Sequence, residues 1–130
     1  MPVIPESHLD LLTRPLFAHL ATVRPDGMPQ SNPMWVRWDG ELLWFTTTTT
    51  RRKFRNLSGE PRVAVSINDP EQPYRYLELR GTVERIEPDP RCHLFTELAD
   101  RYGRELGGAL PGDAPHRIAV AVRPVRVTFQ

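Results

Sequence analysis

The sequence has one cysteine, Cys92, in 130 residues. A lone thiol excludes an internal disulfide and a cysteine-rich zinc site, and it fits a reducing cytoplasm. Charge of one sign is also missing. Seventeen Lys and Arg stand against 16 Asp and Glu, for a formal net charge of +1. This balance gives no global case for binding nucleic acid or an anionic membrane, and leaves open only a local basic patch. The longest purely apolar run, 118–122, falls far short of the roughly 20 residues of a membrane span. The first eight residues carry no basic n-region and no apolar h-region, so no secretory signal is expected. Lysine is nearly absent: every basic residue except Lys53 is arginine, a bias read as genome-wide rather than functional. No G-x-S-x-G elbow, Walker loop or Rossmann glycine triplet occurs. His8, His19, His93 and His116 have no metal-ligand spacing, and the adjacent pair Cys92-His93 makes no site, so no metal is expected.

What remains is enough for one core. Hydrophobic residues make up 39%, and the 14 Pro and 8 Gly are dispersed between apolar stretches. With no repeat and no linker, residues 1–130 read as a single domain. Ser7 can cap a short helix that Pro15 stops. Strand signals follow over 17–23, then Pro25-Asp26-Gly27 as a turn, then 30–38. Asp39-Gly40 reads as a tight hairpin into a strand over 42–48. Pro29 and Pro33 cannot donate to a ladder, which makes the second strand an edge or a bulged one. Residues 62–68 alternate, with Val63, Val65 and Ile67 on one face. In the strand over 74–86, Gly81 marks a bulge or sharp bend. Asp89-Pro90 starts a helix with Leu94, Leu98 and Tyr102 on one stripe, ended by Gly103. The segment 104–115 reads as a mobile surface loop. In the last strand the apolar parity flips after Val122, so a bend or bulge is expected at Pro124. Six antiparallel strands in so short a chain favour a closed or nearly closed barrel.

The stretch most informative about chemistry is Thr46-Thr47-Thr48-Thr49-Thr50-Arg51-Arg52-Lys53. It is a β-branched strand running into hydroxyls and then into a helix with a basic first turn. A helix N-terminus leaves backbone N–H groups unpaired and carries partial positive charge, so three cations there oppose the dipole. An anion among them removes the conflict, and phosphate fits. The alternative is a solvated basic helix, with threonines present only for their strand preference. A second stretch is Ser31-Asn32-Pro33-Met34-Trp35. Pro33 frees neighbouring backbone groups, and Met34 and Trp35 can pack near a flat heterocycle. Read alone, these residues favour another account, in which Trp35, Trp38 and Trp44 belong to the core or a dimer contact. A barrel for single-stranded nucleic acid, with 51–55 as its basic strip, lacks a second basic stripe.

Four segments in register carry a family resemblance: 16–22 followed by Pro25-Asp26-Gly27-Met28-Pro29-Gln30-Ser31-Asn32-Pro33-Met34-Trp35, Arg51-x-Lys53-x-Arg55-Asn56-Leu57, and Glu60-Pro61-Arg62-Val63. The sequence resembles the flavin and deazaflavin oxidoreductases of the pyridoxamine 5′-phosphate oxidase-like superfamily, and within it the branch that uses coenzyme F420. The resemblance implies a mainly β fold: a six-stranded antiparallel split β-barrel of Greek-key, FMN-binding type. A short basic helix and a longer helix before the last strand complete it. It also implies a homodimer with cofactor sites at the subunit interface. By similarity, Arg51 and Lys53 hold the cofactor phosphate, Arg52 assists, and Thr46 and Thr48 stand at the strand end, with Thr46 giving a hydroxyl. Ser31, Asn32, Pro33, Met34 and Trp35 would line the ring. The implied activity is hydride transfer from F420 to an electron-poor small molecule such as an enone, quinone or conjugated pigment, with FMN as the alternative cofactor. No acid/base residue is assigned. The C-terminal Arg-rich substrate motif of true pyridoxamine phosphate oxidases is not found after Arg123-Pro124-Val125-Arg126, which argues against pyridoxal phosphate synthesis.

Overall fold

A computed structural model describes residues 4–130, so the first three residues of the N-terminal segment read above lie outside the described residues. Seven antiparallel strands form one sheet: β1 (Ala18–Val23), β2 (Pro29–Met34), β3 (Arg37–Trp38), β4 (Leu43–Thr48), β5 (Arg62–Asn68), β6 (Tyr76–Pro88) and β7 (Arg117–Phe129). Three α-helices accompany them: α1 (Asp10–Thr13) ahead of the first strand, and α2 (Arg52–Gly59) and α3 (His93–Arg101) between strands. The sheet order is β2-β1-β5-β6-β7-β4-β3. β2 and β3 therefore sit at opposite ends of the sheet, yet only Trp35 and Val36 separate them in the chain. Two residues span a few ångströms, so the sheet must curl until its ends nearly meet. The result is a half-barrel, open along the β2/β3 seam.

Seven strands rather than six corrects the sequence expectation. The single strand expected over 30–38 is broken because Val36 leaves the ladder. Its N–H donates to the Tyr102 hydroxyl at 3.1 Å, and that hydroxyl donates to the Leu16 carbonyl at 2.7 Å. β2 lies at the sheet edge, where its two prolines need no ladder donor.

Alternation fills the interior. Leu20, Val63, Val65, Ile67, Leu77, Leu79, Val120, Val122, Leu43 and Phe45 form one core, to which α1 adds Leu11 and Leu12. Two long strands bend where the sequence says they should. The β6–β7 register shifts at Gly81, where an added Cβ would collide with the Arg123 carbonyl oxygen, while the β5–β6 ladder stays regular through the same residue. Opposite it, Arg80 pairs with Arg126 and Gly81 with Pro124, so Val125 is the extra residue that flips the parity.

The helices close the openings. α2 touches β1 and β4, which lie one strand in from opposite edges, so it spans the seam. α3 covers the outer face of β4 and β7, packing Leu94 and Leu98 on Trp44, Ala119 and Ala121. Its start differs from the expected cap with Pro90 at the first helical position. A turn through Pro90 and Arg91 delays the helix to His93, with Cys92 in the left-handed region. The Asp89 carboxylate still accepts the His93 and Leu94 N–H groups, at 2.9 and 3.0 Å. Gly103, at φ +74°, ends α3 as expected. Its N–H reaches Asp100 O and that of Arg104 reaches Ala99 O, a paired C-terminal motif. Ser7 caps nothing; its hydroxyl bonds the His8 ring at 2.8 Å instead.

Candidate functional site

The β4 strand delivers the chain to the seam, and α2 begins there. Arg51 is the residue at its N-cap, with extended backbone, and no side chain caps the helix. Its first turn holds no acidic residue. An open groove of about 420 Å³ lies at this point, lined by Gln30, Asn32 and Pro33 of β2 and by Arg51, Arg52 and Lys53. Three cations and no carboxylate line it.

Lys53 is the unusual member. Its ammonium is partly buried and donates to the Met34 sulfur at 2.8 Å, with no oxygen acceptor for it among the described residues. A thioether is a weak acceptor for a full charge. Burial, then the nearby charges of Arg51 and Arg117, push its pKa down from 10.5 to about 8. A cation held at a helix N-terminus without a counter-ion has the electrostatics of an anion site.

A chain of amides orients the β2 side of the groove. Asn56, buried in α2, donates to Gln30 Oε1 at 3.1 Å and to Thr22 Oγ1 at 3.0 Å. Gln30 Nε2 donates in turn to Asn32 Oδ1 at 3.3 Å. With its oxygen engaged, Asn32 keeps its two amide N–H donors. Gln30 and Asn56 have no assigned role in the sequence reading. Periodicity contains the signal: Asn56 lies one helical turn after Lys53, and Gln30 shares the β2 face of Asn32 and Met34.

The structure thus brings together Asn32, Pro33, Arg51, Arg52 and Lys53, with Met34 touching Lys53. Other expected site residues lie apart from the groove lining. Ser31 alternates to the opposite face of β2 and is exposed. Trp35 stacks on Tyr102 at 5.5 Å between ring centroids and lies 6.2 Å from Phe95, the packing role its residue type suggested when read alone. Thr46 and Thr48 are buried in β4. The Thr46 hydroxyl donates to the Ile118 carbonyl at 3.3 Å, and Thr48 bonds Thr50 at 2.8 Å.

The profile of the pyridoxamine 5′-phosphate oxidase family matches residues 4–130. The chain belongs to that family. Among solved structures, one named an F420 reductase is 52% identical, covering 98% of this chain and 100% of that one, with a TM-score of 0.94. A conserved hypothetical protein from Mycobacterium tuberculosis is 24% identical over 98% of this chain and 84% of that one, with a TM-score of 0.75. A heme storage protein from Vibrio cholerae is 18% identical over 95% of this chain and 93% of that one, with a TM-score of 0.72. At these last two identities the likeness concerns the fold alone. No curated protein matches the chain. The breadth of these names shows that the pyridoxamine 5′-phosphate oxidase fold does not by itself decide a function. Among the described residues, no helix is long and apolar enough to cross a membrane.

Proposed function

We propose that this protein is a deazaflavin-dependent oxidoreductase that uses coenzyme F420 to reduce an electron-poor small molecule such as an enone, quinone or conjugated pigment. One observation carries the reading. The Lys53 ammonium sits partly buried at the uncapped start of α2, beside Arg51 and Arg52, with a sulfur as its acceptor. The donor set fits a phosphate: two guanidinium groups, one ammonium, the free N–H groups of a helix start and the Asn32 amide. The 52% identity to a structure named an F420 reductase supports the choice of cofactor.

When bound, the cofactor supplies the hydride. The protein's own residues do the rest. Arg51, Arg52 and Lys53 fix the phosphate end, so that one end of a long cofactor is tethered. The amide chain Asn56–Gln30–Asn32 keeps the β2 edge in one orientation. Pro33 breaks the ladder donors of that edge and leaves backbone for the ring. In this reading Ser31, Met34 and Trp35 meet the ring largely through their backbone, Met34 also touches Lys53, and Thr46 and Thr48 stand at the strand end, with Thr46 giving a hydroxyl. No side chain is assigned as proton donor, and solvent fills that role.

The protein acts as a homodimer in this reading, with the sites at the subunit interface. Exposed Phe17, Met28, Val125 and Phe129 supply apolar surface for it. Light scattering that found a stable monomer at micromolar concentration would remove the interface from the account.

FMN is the second reading, because its phosphate meets the same donors and the matching family is that of a flavin oxidase. Titrating the purified protein with F420 and FMN side by side decides between them. The expected result is saturable F420 binding with weaker FMN binding. Protein that purifies with flavin absorbance and takes up no deazaflavin would overturn the F420 assignment.

A further inference from the structure

One carboxylate stands against the cationic cluster, on the loop that precedes β7. Asp113 forms a two-pronged pair with Arg117, Nε to Oδ1 at 3.0 Å and Nη2 to Oδ2 at 3.1 Å. Arg117 is buried. Its Nη1 reaches Thr46 Oγ1 at 3.5 Å, and its guanidinium lies 4.4 Å from the centroid of the Phe95 ring. Contacts from the loop, β4 and α3 thus hold Arg117 in one geometry. Arg51 is different. It is exposed, and its Nη2 stands 3.8 Å from the same Asp113 Oδ2, a long contact with no second prong. One carboxylate oxygen therefore faces two guanidinium groups, one locked in place and one free to leave.

We infer that Asp113 is a built-in counter-ion for the anion site: it parks Arg51 while the groove is empty and yields it to the incoming phosphate, so it tempers affinity and positions that arginine. This rests on the proposed phosphate site. The chemistry is an exchange of ion pairs. Arg51 gives up a single long contact to a carboxylate and gains charge-assisted bonds to phosphate oxygens. Asp113 loses little, because its short pair with Arg117 persists. The carboxylate repels the same anion, so its charge works against binding while its contact to Arg51 limits where that side chain goes.

The test uses the full-length protein and two probes, F420 followed by fluorescence and inorganic phosphate as competitor. Asp113→Asn keeps an oxygen for Arg117 and removes the charge. It should tighten F420 binding about three- to tenfold, the size expected for one screened charge at this range. Asp113→Glu, which keeps the charge, should stay near the wild type. A purely structural Asp113 would instead lower the melting temperature of Asp113→Asn and leave affinity equal or weaker, which overturns the inference. If Asp113→Asn does not fold, the wild type still decides through arginine side-chain NMR. Added phosphate should shift the Arg51 Nε–H signal and leave that of Arg117 in place; an unmoved Arg51 signal in protein that binds F420 sinks the proposal. The two readings fail separately. Wild-type protein that binds neither F420 nor phosphate defeats the site itself. Wild-type protein that binds both, with affinity unchanged in Asp113→Asn, defeats only the counter-ion.

Discussion

α2 and α3 are of similar length, and they begin in opposite ways. At the start of α3, the Asp89 carboxylate accepts two backbone N–H groups and sets a negative charge against the helix dipole. At the start of α2 no side chain among the described residues caps the helix, and Arg51, Arg52 and Lys53 place three positive charges against the same dipole. Sequences that only needed to fold would start both helices as α3 starts. The arrangement at α2 sets like charges against the dipole in the free protein, and in the proposed reading a bound phosphate relieves it. The comparison separates a helix start that serves the fold from one that the proposed function assigns to a ligand.

The largest effect should come from breaking the ligand side. Lys53→Ala removes a cation that makes charge-assisted bonds to phosphate, a loss of about 2–3 kcal/mol, or roughly 30- to 150-fold in F420 affinity. Thermal stability should not fall with it, because burial already disfavours the ammonium and its acceptor is a sulfur. A titration paired with a melting curve checks both halves. Affinity equal to the wild type would place the phosphate elsewhere. Asp89→Ala breaks the other side. It should cost about 1–2 kcal/mol of stability by leaving the His93 and Leu94 N–H groups without acceptors. F420 affinity in that variant should stay within about twofold of the wild type. A variant that loses affinity as much as stability would show that the two helix starts are not separate in function.

How much of this was legible in the sequence depends on whether the signal was local. Turns, bends and alternation were readable, because Gly81, Pro124 and the Asp39-Gly40 hairpin act through their own backbone. The basic start of α2 was readable too, since its conflict with the dipole needs no tertiary knowledge. The break between β2 and β3 was not readable, because it depends on the Tyr102 hydroxyl, which reaches Val36 from the far end of α3. Trp35 shows the same limit: residue type allowed a ring platform or a packing role, and stacking on Tyr102 is visible only once α3 is docked. Asp113 and Arg117 were hidden for another reason. An aspartate in a loop and an arginine opening a strand carry no pattern, and their pairing shows only once Arg117 is buried and Arg51 arrives through a different element.

The smallest effect separates the two helix starts by pH. Lys53 in the free protein gives up its proton near pH 8, well below the 10.5 of an unburied lysine. A bound phosphate favours the charged form, so binding takes up a proton wherever free Lys53 is neutral. Affinity for F420 should then fall about fourfold between pH 7 and pH 8.5, as the charged fraction drops. Stability of the free protein moves the other way. The unfolded chain holds the Lys53 proton up to about 10.5 while the folded chain releases it near 8, so the unfolded state binds more protons in that window and Lys53 makes stability rise with pH across it. Affinity and stability moving oppositely through one titration is a signature that a surface lysine cannot give. Lys53→Met should abolish both slopes, and Asp89→Ala should leave both intact. If the affinity slope survived in Lys53→Met, another group would be taking up the proton, and the ammonium at the start of α2 would not be the cation that meets the phosphate.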